Sequence, residues 1–337
     1  MKQYLTLALS VLFSTYFLSQ QYLGVSTSNY AGSMGTQLQP ASFVDGRFVF
    51  DLNIAGVNNN TYQNFGYFDA KAMRDAQGNG GYWWKKSFTQ PTPNNWDDPD
   101  STFQDRFIIR NYSTNSKKVL GLYSNTQIDL LNLNFHINPK IAVGLFGRVR
   151  SITNIDNMDP KLAVLAENGL DYSLLWNQKL NEELINLNHL TWNEYGFNYG
   201  QIVLDKKEHF VKVGGSIKLL SGNTAAYFYT NNFEYNLKNS DTSFLLTGDF
   251  NYGYSGNLDE FINSSDITAM DIIKRNSNWG LGIDLGAVYE WRGNYEDYQY
   301  DMDGETGIWA RHKNKYKLRV GASLLDLGGM SFTKGGL

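Results

Sequence analysis

A chain of 337 residues is long enough for one large domain or two ordinary ones. Charged residues make up 18% and aromatic residues 15%, fewer charges and more aromatics than a typical soluble domain carries. A net charge of −4 gives no pull towards nucleic acid, and the absence of cysteine excludes disulfides, Cys-ligated zinc, a thiol nucleophile and a lipid anchor on an N-terminal Cys.

The four histidines, His136, His189, His209 and His312, are scattered without metal-binding spacing, so neither a metal nor another cofactor is expected. The 22 Tyr and 8 Trp suit a protein with two polar–apolar boundaries, although β-rich soluble proteins also use aromatics heavily.

Met1-Lys2 followed by the apolar run Tyr4–Leu18 reads as a signal peptide over residues 1–20. The run is shorter than the roughly 20 apolar residues that span a bilayer as a helix. After an aperiodic stretch to Asp45, Arg47–Ile54 alternates and predicts a first strand. Residues 55–102 read as a long loop, with Asn58-Asn59-Asn60, Gly78–Gly81 and Pro91–Asn95 as turn formers and Asp69–Ala76 as one or two helical turns. Asp105–Arg110 and Lys117–Tyr123 are short strand candidates.

Gln127–Ile152 reads as a hairpin about the turn Asn138-Pro139-Lys140. Leu131, Leu133, Phe135 and Ile137 share one face; Asn132, Asn134 and His136 share the other, and Arg148 and Arg150 oppose the apolar side of the return strand. Ser151–His189 is the best helical region. Asp159-Pro160 reads as an N-cap with proline at the first helical position, Gly169 as a stop, and Asp171–Leu187 as a second amphipathic segment.

Leu190–Gly222 predicts two strands joined by the charged turn Asp205–Glu208. Tyr195, Phe197, Tyr199, Val211, Val213, Ile217 and Leu219 make apolar faces; Glu194, Asn198, Lys212, Ser216 and Lys218 lie opposite. A link at Ser221–Thr224 then separates an aromatic strand, Ala225–Leu237, with Tyr227, Tyr229, Phe233 and Tyr235 on one parity. Further strands are expected at Thr242–Tyr254, Trp279–Trp291 and Lys315–Leu325, with helical turns at Asp266–Lys274 and a long loop at Arg292–Asn314 that either hides a strand or projects.

Long strands that are apolar on one face and polar or Gly on the other have two common homes, a soluble β-sandwich and an outer-membrane barrel. Export, absent membrane helices and mostly alternating short turns and long loops favour the barrel. The expected fold is all-β, a transmembrane antiparallel β-barrel of about 10–14 strands with short helices in long loops or the lumen. Its lumen would be lined by Arg148, Arg150, Lys212, Lys218, Asp284, Glu290, Lys317 and Arg319. Mixed charges there either line a pore or lock it by pairing.

Chemistry-bearing motifs do not survive scrutiny. Gly280–Gly286 has the wrong spacing for a dinucleotide loop and alternates as a strand. Gly253–Asn257 brings its second Gly one residue too early for a nucleophile elbow. Asp301–Glu305 lacks the distal bidentate Glu of a calcium loop. An enzyme would need a Ser or Asp packed against His136 or His209.

The stretches Ser28–Gly56, Leu190–Tyr229, Leu281–Arg292 and Asn314–Phe332 resemble an uncharacterised family of Bacteroidota outer-membrane β-barrel proteins. The resemblance implies location in the outer membrane of a Gram-negative bacterium and contact with its lipid, with residues 21–337 as the barrel domain. It implies no activity and supplies no catalytic residues. Such proteins continue beyond the Ser323–Gly329 strand, so this chain is expected to be truncated or to form a smaller barrel. Two functions are consistent with these features: a non-enzymatic channel or carrier for small or apolar solutes, and a structural or accessory subunit joined to other envelope proteins.

Overall fold

A computed structural model describes residues 24–26, 30–64, 66–68, 107–109, 120–159, 161, 173–258, 279–310 and 313–335. The expected signal peptide, the turns at 78–81 and 91–95, and the helical turns at 69–76 and 266–274 lie outside the described residues.

The described residues form thirteen strands: β1 (Phe50–Asn53), β2 (Gly56–Gln63), β3 (Gly66–Phe68), β4 (Phe107–Ile109), β5 (Leu120–Asn138), β6 (Ile141–Met158), β7 (Lys179–Lys206), β8 (His209–Asn239), β9 (Thr242–Tyr254), β10 (Trp279–Trp291), β11 (Gln299–Met302), β12 (Glu305–Trp309) and β13 (Leu318–Gly329). Nine of them build one antiparallel sheet in the order β1-β5-β6-β7-β8-β10-β13, with β2 pairing the far half of β5 and β9 the far half of β8. Pairs β3–β4 and β11–β12 stand apart from it.

The two expected tight turns form where side-chain chemistry dictates. Asn138 Oδ1 accepts from the N–H groups of Lys140 and Ile141, replacing ladder bonds that Pro139 cannot make. The β7–β8 turn is Lys207-Glu208, with Lys207 at φ +47°.

Several expectations are corrected. Asp171–Leu187 is not an amphipathic helix: a 3-10 turn at Ser173–Leu175 leads into β7, which pairs with β8 from Lys179. Propensity yields here to the ladder that the longer β8 offers. Of the expected helix from Asp159, only Lys161 is described; its N–H is accepted by Asp159 Oδ1, as in an N-cap. Ser221–Thr224 is no link, because β8 runs through it. Asn58–Asn60 is no turn but the centre of β2, where Asn59 and Thr61 bond Thr126 and Ser124 across the ladder. The strand expected at Lys117–Tyr123 is the start of β5. Arg292–Asn314 hides a hairpin, β11–β12, whose Asp303-Gly304 turn takes positive φ at both residues, the primed turn that fits strand twist.

Two adjacent rows across the sheet define its faces. One row reads Leu52, Leu133, Leu145, Phe197, Ile217, Ile283, Leu327. The next reads Asp51, Asn134, Gly144, Asn198, Ser216, Asp284. The apolar row points outwards and the polar row inwards: Ile217 is 61% exposed and its neighbour Ser216 is 4% exposed. This inverts a water-soluble sheet.

The sheet curls round its polar face. Arg150 on β6 pairs with Asp326 on β13 at 3.0 Å. These strands are four ladder steps apart, roughly 19 Å if the sheet were flat, beyond the reach of the two side chains. Among the described residues the ladder does not close, since β13 pairs with β10 and β1 and β2 pair with β5.

Residues 31–49 fill the hollow. Gln37 bonds Asp129 and Gln127 on β5, Gln39 donates to Ala287 O and Ala322 O on β10 and β13, and Ser323 Oγ donates to Leu38 O. Phe43 and Val44 pack on Ala142, Ile202 and Phe210 in a small apolar core. Gly214 is required here, because a Cβ would collide with the backbone of Pro40. Gly200 and Gly286 likewise leave room for Val44 and Gln39 of this segment.

Candidate functional site on the polar face

Alternation puts charges on the polar face, and curling brings them together. Arg148 Nε donates to Glu194 Oε2 at 2.6 Å, and Arg150 Nη1 donates to Glu194 Oε1 at 3.1 Å. Glu194 Oε1 also accepts from Trp192 Nε1 at 2.7 Å. Arg150 continues to Asp326, and Lys218 Nζ bonds Asp326 at 2.6 Å and Asp284 at 2.7 Å. Three cations and three carboxylates from β6, β7, β8, β10 and β13 thus form one neutral chain. Charge-assisted bonds of this kind are short, and removing one member strands its partner in low dielectric.

A second group lies at the end bearing the two short turns. Arg292 bonds Glu290 at 2.8 Å and Asp45 at 2.9 Å, and its guanidinium lies 3.4 Å from the centre of the Phe210 ring. Lys315 Nζ bonds Asp45 at 3.0 Å, and Arg319 stands 3.6 Å from Glu290. Lys212 Nζ donates to Val44 O at 2.6 Å. Asp45 thereby ties the inner segment to the sheet.

Burial alone would raise the Asp45 carboxyl, but Lys315, Lys212 and Arg292 outweigh it and hold the pKa below its ordinary 3.8. A depressed folded-state value means stabilisation that is complete above the unfolded value and lost as pH falls through the folded one. Acidification below about pH 4 is therefore expected to loosen residues 38–49. Hydrogen exchange of that segment, corrected for intrinsic rate, should rise in wild type on acidification. In Asp45→Asn it should already be raised at neutral pH. Equal protection in both proteins at neutral pH would refute the tie.

Of the eight residues expected in the lumen, Arg148, Arg150, Lys212, Lys218, Asp284 and Glu290 are buried on the polar face, and Arg319 is half-buried at its rim. Lys317 is not brought to them. It precedes β13, is exposed, and bonds Asn294 at 3.4 Å. Sequence reasoning left Glu194, Arg292, Lys315, Asp45 and Asp326 out of this set. Glu194 had a signal, since it shares parity with Asn198. Asp326 had none: a bulge facing Ile283–Leu285, with Asp326 at φ +57°, turns it inwards against the simple alternation. His209 bonds Tyr289 Oη at 2.8 Å rather than a Ser or Asp. Asp301 and Glu305 flank the β11–β12 turn.

In comparison with known proteins, the model of a family of unknown function, DUF5723, matches residues 40–336. No curated protein and no solved structure matches the chain.

Proposed function

We propose that this chain, which belongs to the DUF5723 family, is a non-enzymatic protein of the bacterial outer membrane, a barrel-type sheet whose apolar face meets lipid and whose polar face is closed. The observation that carries the reading is the inverted burial of the two neighbouring rows. A row of seven apolar side chains about half exposed to water forfeits part of the roughly 1.5–3 kcal/mol that complete burial of each would give. A bilayer removes that cost, and such a continuous apolar face is a membrane or partner surface.

Dimensions agree. Trp279 and Trp291 both point outwards at the two ends of β10. The strand between them is about 40 Å long at about 3.3 Å per residue, and a tilt of about 40° reduces its height to about 30 Å. That is close to the roughly 25 Å apolar band between aromatic girdles.

Paired charges and the inner segment favour an accessory or structural role over an open channel, because they occupy the space through which a solute would move. The full chain refolded into lipid vesicles should resist carbonate extraction and show no single-channel conductance in planar bilayers. Recovery in the soluble fraction would refute membrane insertion, whereas steady conductance would favour the channel or carrier reading. Stable co-purification with another envelope protein would support the accessory role.

A further inference from the structure

Between residues 31–48 of the inner segment, β5, the start of β8, the end of β10 and residues 313–319 lies a polar cleft of about 70 Å³. This is several times the roughly 10–15 Å³ that one water requires, yet far below the roughly 300–1,000 Å³ of a drug-sized site. We propose that it binds a phosphate-class oxyanion, with Lys212, Arg319 and Asn134 as donors.

Charge is the first argument. Five Lys and Arg side chains line the cleft against the carboxylates Asp45, Asp51 and Glu290. Those carboxylates are engaged already: Asp45 by Arg292 and Lys315, Glu290 by Arg292 and Arg319, and Asp51 by the Ser33 N–H. Positive charge is left in surplus.

Lys212 sharpens the point. Its side chain is buried, its ammonium donates only to the carbonyls of Val44 and Ser42, and no carboxylate among the described residues pairs with it. Asp45 and Glu290 attract this ammonium from a distance, but both are bonded to other cations, and an anion in the cleft would stabilise the buried charge directly.

Asn134 is the independent observation. It is 5% exposed, it lines the cleft, and neither its Nδ2 nor its Oδ1 has a hydrogen-bond partner. The Oγ of Ser42, also in the lining, is likewise buried and unpartnered. The polar groups of the lining come from β5, β8, β13 and the inner segment, and so from several sides of the cleft. That arrangement suits a tetrahedral oxyanion better than a planar carboxylate. The ion could be free phosphate or the phosphate monoester of a lipid headgroup.

The inference does not rest on membrane insertion. Calorimetric titration of sodium phosphate into the full chain in micelles, at constant ionic strength, should give saturable binding at one site. Lys212→Met and Arg319→Gln should each weaken it at least tenfold, while Lys140→Gln, on the exposed β5–β6 turn, should leave it unchanged. Nanodiscs with and without phosphatidic acid form the second arm. Binding there alone, lost in Arg319→Gln, would identify the headgroup as the source. Arg319 sits at the rim, so its variant keeps the test valid if Lys212→Met fails to fold. Absence of saturable binding in both arms, or binding indifferent to the substitutions in folded variants, overturns the proposal.

Discussion

Glu194→Gln is expected to destabilise the protein by about 3–5 kcal/mol, the usual result of breaking a buried ion pair from one side. Among the described residues, Glu194 is the sole carboxylate that Arg148 engages and one of two for Arg150. All three side chains are buried, so water cannot replace the lost partner. A glutamine keeps the volume, and its amide oxygen can satisfy one donor while its NH2 faces a guanidinium. Urea unfolding in lipid vesicles, followed by tryptophan fluorescence, measures the loss, and Trp192, bonded to Glu194, is a local reporter. The double variant Glu194→Leu with Arg148→Met should recover part of it, because an apolar pair leaves fewer charges stranded. A loss below about 1 kcal/mol, the range of solvated surface pairs, would mean that water reaches this charge chain.

Ile217→Arg is expected to cost about 2–4 kcal/mol when the sheet is embedded in a bilayer, the penalty for arginine on the lipid face near the midplane. In a water-facing sheet the same change at a position this exposed would fall within about 0.5 kcal/mol. Ile217 is well placed for the comparison. It lies in the middle of the apolar row, between Phe197 and Ile283, and contributes nothing to the charged face. Reversible unfolding in vesicles reads the difference directly. A neutral outcome would refute the membrane assignment of this face, whatever the protein's fractionation.

Much of the fold was legible because β structure writes a period of two into a sequence. The hairpins at Asn138–Lys140 and Asp205–Glu208, the strand Trp279–Trp291, and the polar parity of Lys212, Lys218 and Asp284 follow from local alternation and turn chemistry. The failures share a cause. At Asp171–Leu187 leucines at helical spacing outweighed strand signals, but β7 pairs with a strand far along the chain and takes its conformation from that partner. At Asn58–Asn60 a run of turn formers became strand because β5 offered complementary hydroxyls.

The sequence by itself determined which side chains share a face, since period-two alternation is a local property of an extended backbone. It also determined that the protein lacks cysteine chemistry. Tertiary structure alone decided which charges meet. Arg150 and Asp326 are joined only by the curl of the sheet, and Asp326 faces inwards only because of a bulge. Asn232, at φ +52°, likewise breaks the run of aromatics, leaving Tyr229 exposed and Tyr235 buried. Closure of the polar face by residues 31–49 was equally out of reach, because that stretch has no period of its own and takes its path from the glycines and donors of the strands beneath it.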